Sequence, residues 1–275
     1  MAAPSHLLAP HSTVRFRPPR FGLGGSHLAE SPDDTAIATV DTAYQAGIRF
    51  FDTSPAYGDS ERRLGTALQR RPRGEFLVST KVLGADPEES VRASSERLGL
   101  AVDMVFTQTP AQTPTPAQTA APDDSAYAVL DRMRADGVIK AVGAASDDWR
   151  RLDEVVQSVE LDCVLLTHQY SLLDQQAQPL LDRCLARGVS VIVAGVLVLQ
   201  AETVRARRIS AVCERYGVSL PQAALAFPSR HHAVTSVLIA AASPAEIRAD
   251  AALVRQPVPE RLWKDPELVG LLSSE

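Results

Sequence analysis

Short, β-branched apolar runs alternate with amphipathic stretches along this chain at intervals of roughly 25–35 residues. The runs are Arg20–Gly24, Ile48–Thr53, Glu75–Val82, Asp103–Thr107, Ile139–Ala145, Cys163–Thr167, Val189–Val198 and Thr235–Ala241. The intervening stretches carry helix punctuation. Asp33–Ala46 opens with acidic residues and stops at Gly47, Asp86–Leu98 stops at Gly99, Ser125–Ala135 runs into Asp136-Gly137, and Leu180–Arg187 stops at Gly188. A glycine at these stops can take the left-handed conformation that closes a helix. The apolar runs have no alternating polar face, so each is expected to be buried on both sides, as in a parallel sheet covered by helices. Eight such units favour closure into a (β/α)₈ TIM barrel, an α/β fold, over an open sheet. A single domain spanning residues 20–275 is therefore expected, after a flexible lead-in at residues 1–19 that is rich in Pro, His and Arg.

Composition narrows what such a barrel can do. At 275 residues and 45% hydrophobic, the chain matches one barrel of about 250 residues. No apolar run approaches the ~18 residues that cross a bilayer, so no membrane partner is expected. A net charge of −5 lacks the basic footprint of a nucleic-acid binder. Cys163, Cys184 and Cys213 are widely spaced and sit in apolar-periodic stretches, which reads as buried free thiols in a reducing compartment and not as metal ligands. The N-terminus has no basic region ahead of its short apolar patch, so no secretory signal is read there and the cytoplasm is the expected address.

In a barrel, chemistry belongs to the loops that follow the C-terminal ends of the strands. Those positions hold His27, Asp52 with Tyr57, Lys81, Gln108, Ser146 with Asp147, His168 with Tyr170, Gly195, and Ala240 to Ser243. Lysine is scarce, with three (Lys81, Lys140, Lys264) against 25 arginines, and Lys81 closes a buried run. A phenol titrates near ~10, too high for ready proton exchange at neutral pH. A neighbouring ammonium favours the phenolate, and a carboxylate paired to that ammonium fixes it in place. Taken singly, Asp52, Tyr57 and Lys81 read equally well as a strand-end ion pair and a half-buried ring. Together, at adjacent strand ends, they read as an acid/base set acting on a small molecule.

The stretch Thr39–Leu68, TVDTAYQAGIRFFDTSPAYGDSERRLGTAL, followed by EFLVSTKV, resembles the aldo-keto reductase superfamily, nearest the aldose, galactose and pyridoxal dehydrogenases. The resemblance continues through LDRMRADGVIKAVGAA, YSLLDQ, GVSVIVAGV and AVCERYGVSLPQAALAFPSRH, covering roughly residues 20–262. It implies a (β/α)₈ barrel that interconverts carbonyls and alcohols with NADP or NAD through an Asp, Tyr, Lys and His tetrad. Asp52, Tyr57 and Lys81 fall on three tetrad positions, with Tyr57 as proton donor or acceptor.

Four departures stand against that pattern. Asp103–Pro110 reads DMVFTQTP, with Gln108 at the histidine position; Gln donates a neutral hydrogen bond but exchanges no proton. After the seventh run the cofactor-closing loop is mostly missing, and Gly195–Gln200 passes almost at once into a helix. After the eighth, Ala240 and Ala242 replace a glycine and a polar or basic residue, and Asp250 replaces Asn. Ser243 keeps a helix-cap position, and Arg248 is the one cation near enough to substitute. Asp147 stands where an Asn holds the nicotinamide carboxamide. These losses lead to the expectation that the cofactor has been given up. The fold would then run NAD(P)-independent acid/base chemistry (cyclisation, dehydration, isomerisation or a lyase step) on a small carbonyl- or hydroxyl-bearing metabolite.

Two alternatives are an NADP(H)- or NAD(H)-dependent aldehyde or ketone oxidoreductase with an altered tetrad, and a non-catalytic binding barrel. Gln108, His168, Tyr170 and His27 are the expected pocket residues, with His168 read either as a replacement for the missing imidazole or as a histidine solvated at the barrel rim. Asp147, Ser243, Arg248 and Asp250 would be vestiges of the nucleotide site. The segment 108–124, in which TPAQ occurs twice, reads as a mobile loop over the mouth, either a lid or a disordered insertion. The arginine and alanine bias suggests a GC-rich genome and specialised-metabolite biosynthesis.

Overall fold

A computed structural model describes residues 14–108, 124–199 and 203–273. The segment read as a loop over the mouth falls almost wholly outside them. Eight parallel strands close into a barrel in sequence order: β1 Phe21–Gly24, β2 Phe50–Asp52, β3 Leu77–Val82, β4 Met104–Gln108, β5 Ala141–Ser146, β6 Cys163–Thr167, β7 Ser190–Ala194 and β8 Val234–Ala240, which pairs back onto β1. The helices outside are α1 Asp33–Gln45, α2 Ser60–Leu68, α3 Pro87–Leu98, α4 Asp124–Ala135, α5 Trp149–Ser158, α6 Gln178–Arg187, α7 Val204–Arg215, α8 Leu220–Ala226, α9 Pro244–Arg255 and α10 Pro266–Ser273.

Both faces of the strands are apolar because two cores are needed. Phe50, Met104, Phe106, Cys163, Leu165, Ile192 and Leu238 fill the lumen. Phe51, Val78, Val105, Val142, Val164 and Val193 face the helices. A Cβ on Gly143 would lie 2.6 Å from the Phe106 ring, so a large side chain on β4 is accommodated by the absence of one on β5. Helices α3 and α6 end on Gly99 and Gly188 at φ 61° and 68°, the left-handed stops the sequence predicts. β7 stops at Ala194, four residues short of the expected run, because Gly195 adopts φ 73° and turns the chain away.

Asp103 and Asp162 brace the lower ends of the strands. Asp103 accepts from the Val78 amide at 2.8 Å, and Asp162 accepts from the Val142 amide at 2.9 Å. Arginines and Lys140 balance their charges. Residues 14–19 of the expected lead-in are tied to the same end. Phe16 packs against the lumen core, its carbonyl accepts from Ser190 Oγ, and the Arg15 amide donates to Gly188 O at 2.9 Å. An open-ended barrel exposes apolar lumen surface, and Phe16 covers it. All three cysteines are buried and free; burial pushes the Cys184 thiol up to about 12 and Cys213 up to about 11, and these thiols are inert. No helix among the described residues is long and apolar enough to cross a membrane.

Candidate active site

Alternation along the strands aims Asp52 from β2, and Ser79 and Lys81 from β3, into the upper lumen. Ser79 Oγ donates to Asp52 Oδ1 at 2.7 Å, and Lys81 Nζ donates to Asp52 Oδ2 at 2.8 Å and to Thr53 O at 3.0 Å. Asp52 and Lys81 are 3% and 2% exposed. At that depth a lone charge would cost several kcal/mol, so the two groups depend on each other. Burial works to discharge Lys81, but Asp52 and then Tyr57 outweigh it and hold the ammonium above the ordinary lysine range. The Lys81 nitrogen lies 4.9 Å from the centre of the Tyr57 ring.

Tyr57 is set by a turn between β2 and α2. Its amide donates to Ser54 O at 3.0 Å, and its carbonyl accepts from Ser60 N at 2.9 Å. Ser60 Oγ bonds Thr53 Oγ1 at 2.9 Å and donates to Gly25 O at 2.8 Å, so this turn is tied to the end of β1. The half-buried Tyr57 ring and Asp52 line a cavity of about 310 Å³ at the barrel mouth, shared with His27, Thr167, His168, Gly195 and the apolar Leu165, Val196 and Leu238. Three inward strand ends in its wall, Gly24, Ala194 and Ala240, are small and leave the space open. Among the described residues no arginine or lysine lines it.

His168 takes a left-handed φ of 69°, unusual for a residue bearing a Cβ. Its amide donates to Ala194 O at 3.0 Å, and its ring lies on Gly195, where a Cβ would come within 2.2 Å of Nδ1. Gly195→Ala should therefore destabilise the protein by about 1–3 kcal/mol, since it meets both this overlap and the positive φ. Chemical denaturation measures that loss, and an unchanged midpoint would show that His168 moves aside freely.

The remaining expected residues divide by position. Gln108, two residues beyond the lumen-filling Phe106, sits on the inward face at the top of β4 and is half-buried. Tyr170 is not in the mouth. It is 4% exposed, its ring packs 5.7 Å from Phe227 and 6.3 Å from His231, and burial, followed by Asp182, pushes its hydroxyl up to about 12. The turn at His168 carries the chain out of the mouth and lays Tyr170 in the helical layer. Asp147 is exposed after β5. Ser243 caps α9, accepting from Glu246 N at 3.3 Å, while the Glu246 carboxylate takes the Ala242 amide at 2.9 Å. Arg248 is exposed, and burial, then Glu246, holds Asp250 above the usual carboxylate range. Sequence reasoning missed Ser79, although its place two residues before Lys81 puts both on one strand face. It also missed the void made by Gly24, Ala194 and Ala240.

The aldo/keto reductase family model matches residues 20–265. The chain is 30% identical to D-threo-aldose 1-dehydrogenase of a Pseudomonas species, over 90% of this chain and 92% of that one. It is 28% identical to pyridoxal 4-dehydrogenase of Microbacterium luteolum (91% and 92% covered) and 27% identical to the NADH-specific methylglyoxal reductase of Escherichia coli K12 (88% and 92%). The solved holo form of the aldo-keto reductase AKR11C1 from Bacillus halodurans superposes with a TM-score of 0.77 at 20% identity, covering 96% of this chain and 95% of that one, which establishes the shared fold. These relatives overturn the expectation that the cofactor has been given up, and with it the preference for cofactor-independent cyclase or lyase chemistry. That expectation rested on lost polar side chains in loops, which do not by themselves decide whether a cofactor binds.

Proposed function

Because this chain belongs to the aldo/keto reductase family, we propose that it is a nicotinamide-dependent oxidoreductase interconverting a small carbonyl compound and its alcohol, with Tyr57 moving the proton. The observation that carries this reading is the buried Asp52–Lys81 pair, at 2.8 Å, with its ammonium 4.9 Å from the Tyr57 ring centre. The mouth fits the nicotinamide end of such a cofactor. Gly24, Ala194 and Ala240 leave a void beside Tyr57, and about 310 Å³ lies at the small end of the ~300–1,000 Å³ usual for ligand sites. Thr167, His168 and Gly195 would hold that end. Arg248, which has no carboxylate partner among the described residues, is the cation available to the nucleotide end. When bound, the cofactor supplies or accepts the hydride.

The chain's own residues handle the proton. In the reductive direction Tyr57 Oη donates its proton to the carbonyl oxygen; in the oxidative direction the phenolate takes a proton from the alcohol. Lys81 presents its ammonium to the Tyr57 ring, and Asp52, itself oriented by Ser79, keeps Lys81 charged and in position. Gln108 offers the substrate oxygen one neutral hydrogen bond and no proton.

Initial-rate assays with NADH and NADPH against a panel of small aldehydes and ketones test this reading; no turnover of any of them with either cofactor would sink it. In the same assay Gln108→His should raise kcat by about tenfold or more, since positioned acid/base groups contribute ~10²–10⁴-fold. An unchanged kcat would place residue 108 away from the reacting oxygen.

A further inference from the structure

A second cleft, of about 580 Å³, opens at the far end of the barrel from the catalytic mouth. Arg20, which precedes β1, and Arg230, which precedes β8, place it at the N-terminal ends of the strands, and Arg255 closes it from the end of α9. Three exposed arginines therefore line one cleft whose single acidic lining residue among the described residues is Glu260, in a chain whose net charge is −5.

These guanidinium groups are held mainly by carbonyls and rings. Arg20 lies 5.3 Å from the Phe21 ring centre and has no carboxylate partner among the described residues. Arg255 donates to Ala46 O at the end of α1 and likewise has no carboxylate partner among them. Arg230 stacks 5.0 Å from the Trp263 ring centre and reaches Glu260 only at 3.4 Å, both side chains being exposed, a pairing of little strength. Guanidinium forks match phosphate oxygens in pairs, and a concave wall of one sign concentrates anions. Ser229 and Gln256 add neutral polar groups, and Leu225 and Leu253 add apolar wall.

We propose that this floor cleft binds a small anion carrying two or more phosphates, at a site separate from the catalytic mouth. Three guanidinium forks offer paired donors to more than one phosphate group, and an open cleft of about 580 Å³ suits a small molecule. The site does not depend on the oxidoreductase reading.

Trp263, one of two tryptophans, forms part of the cleft wall and can report occupancy. In a Trp149→Phe background, its fluorescence is followed while the protein is titrated with inorganic tripolyphosphate and, separately, with ADP; calorimetry on the unmodified chain gives the stoichiometry. The expected result is saturable binding at one site per chain, weakened by salt and by about tenfold or more in Arg20→Ser/Arg255→Ser. Equal affinity for the two probes would assign recognition to the phosphate chain alone, and tighter ADP binding that is still lost in the double variant would add a role for the apolar wall. A response that does not saturate with either probe, or affinity undiminished in the double variant, would overturn the proposal. The latter result would place the anion elsewhere, including at the mouth.

Discussion

Tyr57→Phe should lower carbonyl turnover by about 10²–10⁴-fold while shifting stability by no more than ~0.5 kcal/mol. The ring stays, half-buried against the same cavity, and the turn that positions it depends on backbone bonds to Ser54 and Ser60 that phenylalanine preserves. Only the proton-bearing oxygen is removed. Lys81 keeps its bonds to Asp52 and Thr53, so the buried charge pair remains satisfied. Cofactor affinity should be unchanged, which separates a lost chemical step from a lost binding site. Steady-state kinetics beside a thermal melt decides the matter, and full activity in the variant would mean that another group moves the proton.

Lys81→Met should have the largest effect on stability as well as abolishing turnover. It strips Asp52 of its cation and leaves a 3%-exposed carboxylate with only the Ser79 hydroxyl, a loss of about 3–5 kcal/mol. At roughly 2–4 °C per kcal/mol for a domain of this size, the melting temperature should fall by about 10 °C. Adding Asp52→Leu removes the orphaned charge and should restore most of the stability without restoring turnover. A double variant as unstable as the single one would show that Lys81 contributes through packing and not through charge. The pH dependence follows from the direction of the Lys81 shift. A lysine whose folded pKa is raised contributes stability that is complete below its unfolded value and is lost only as pH climbs through the raised one. Neutral and mildly alkaline conditions should therefore leave the Asp52–Lys81 pair intact.

The barrel was legible because each strand is apolar on both faces and because glycine marks the helix ends at Gly99 and Gly188. The same apolar signal misled at β7, where Val196 and Leu197 line the cavity and read as more strand. Asp52 and Lys81 stood out because a scarce lysine ended a buried run, and strand alternation then made their meeting a matter of geometry. Tyr170 could not be placed from its neighbours, since the left-handed turn at His168 that sends it into the helical layer has no signature in a histidine. The lost polar side chains around the nucleotide end did not decide the cofactor, which the relatives did. Small residues such as Gly24, Ala194 and Ala240 carry no chemical label, so the space they leave at the mouth was not legible in the sequence. The cleft at the barrel floor joins Arg20 to Arg230 and Arg255, more than two hundred positions further along the chain, and the closure of β8 onto β1 brings them to one end.

The most direct test of the central reading is a calorimetric titration of the protein with NADH and with NADPH. Micromolar binding of at least one of them, retained in Tyr57→Phe, is the predicted result. The absence of binding by either at millimolar concentration would contradict the assignment of a nicotinamide-dependent oxidoreductase.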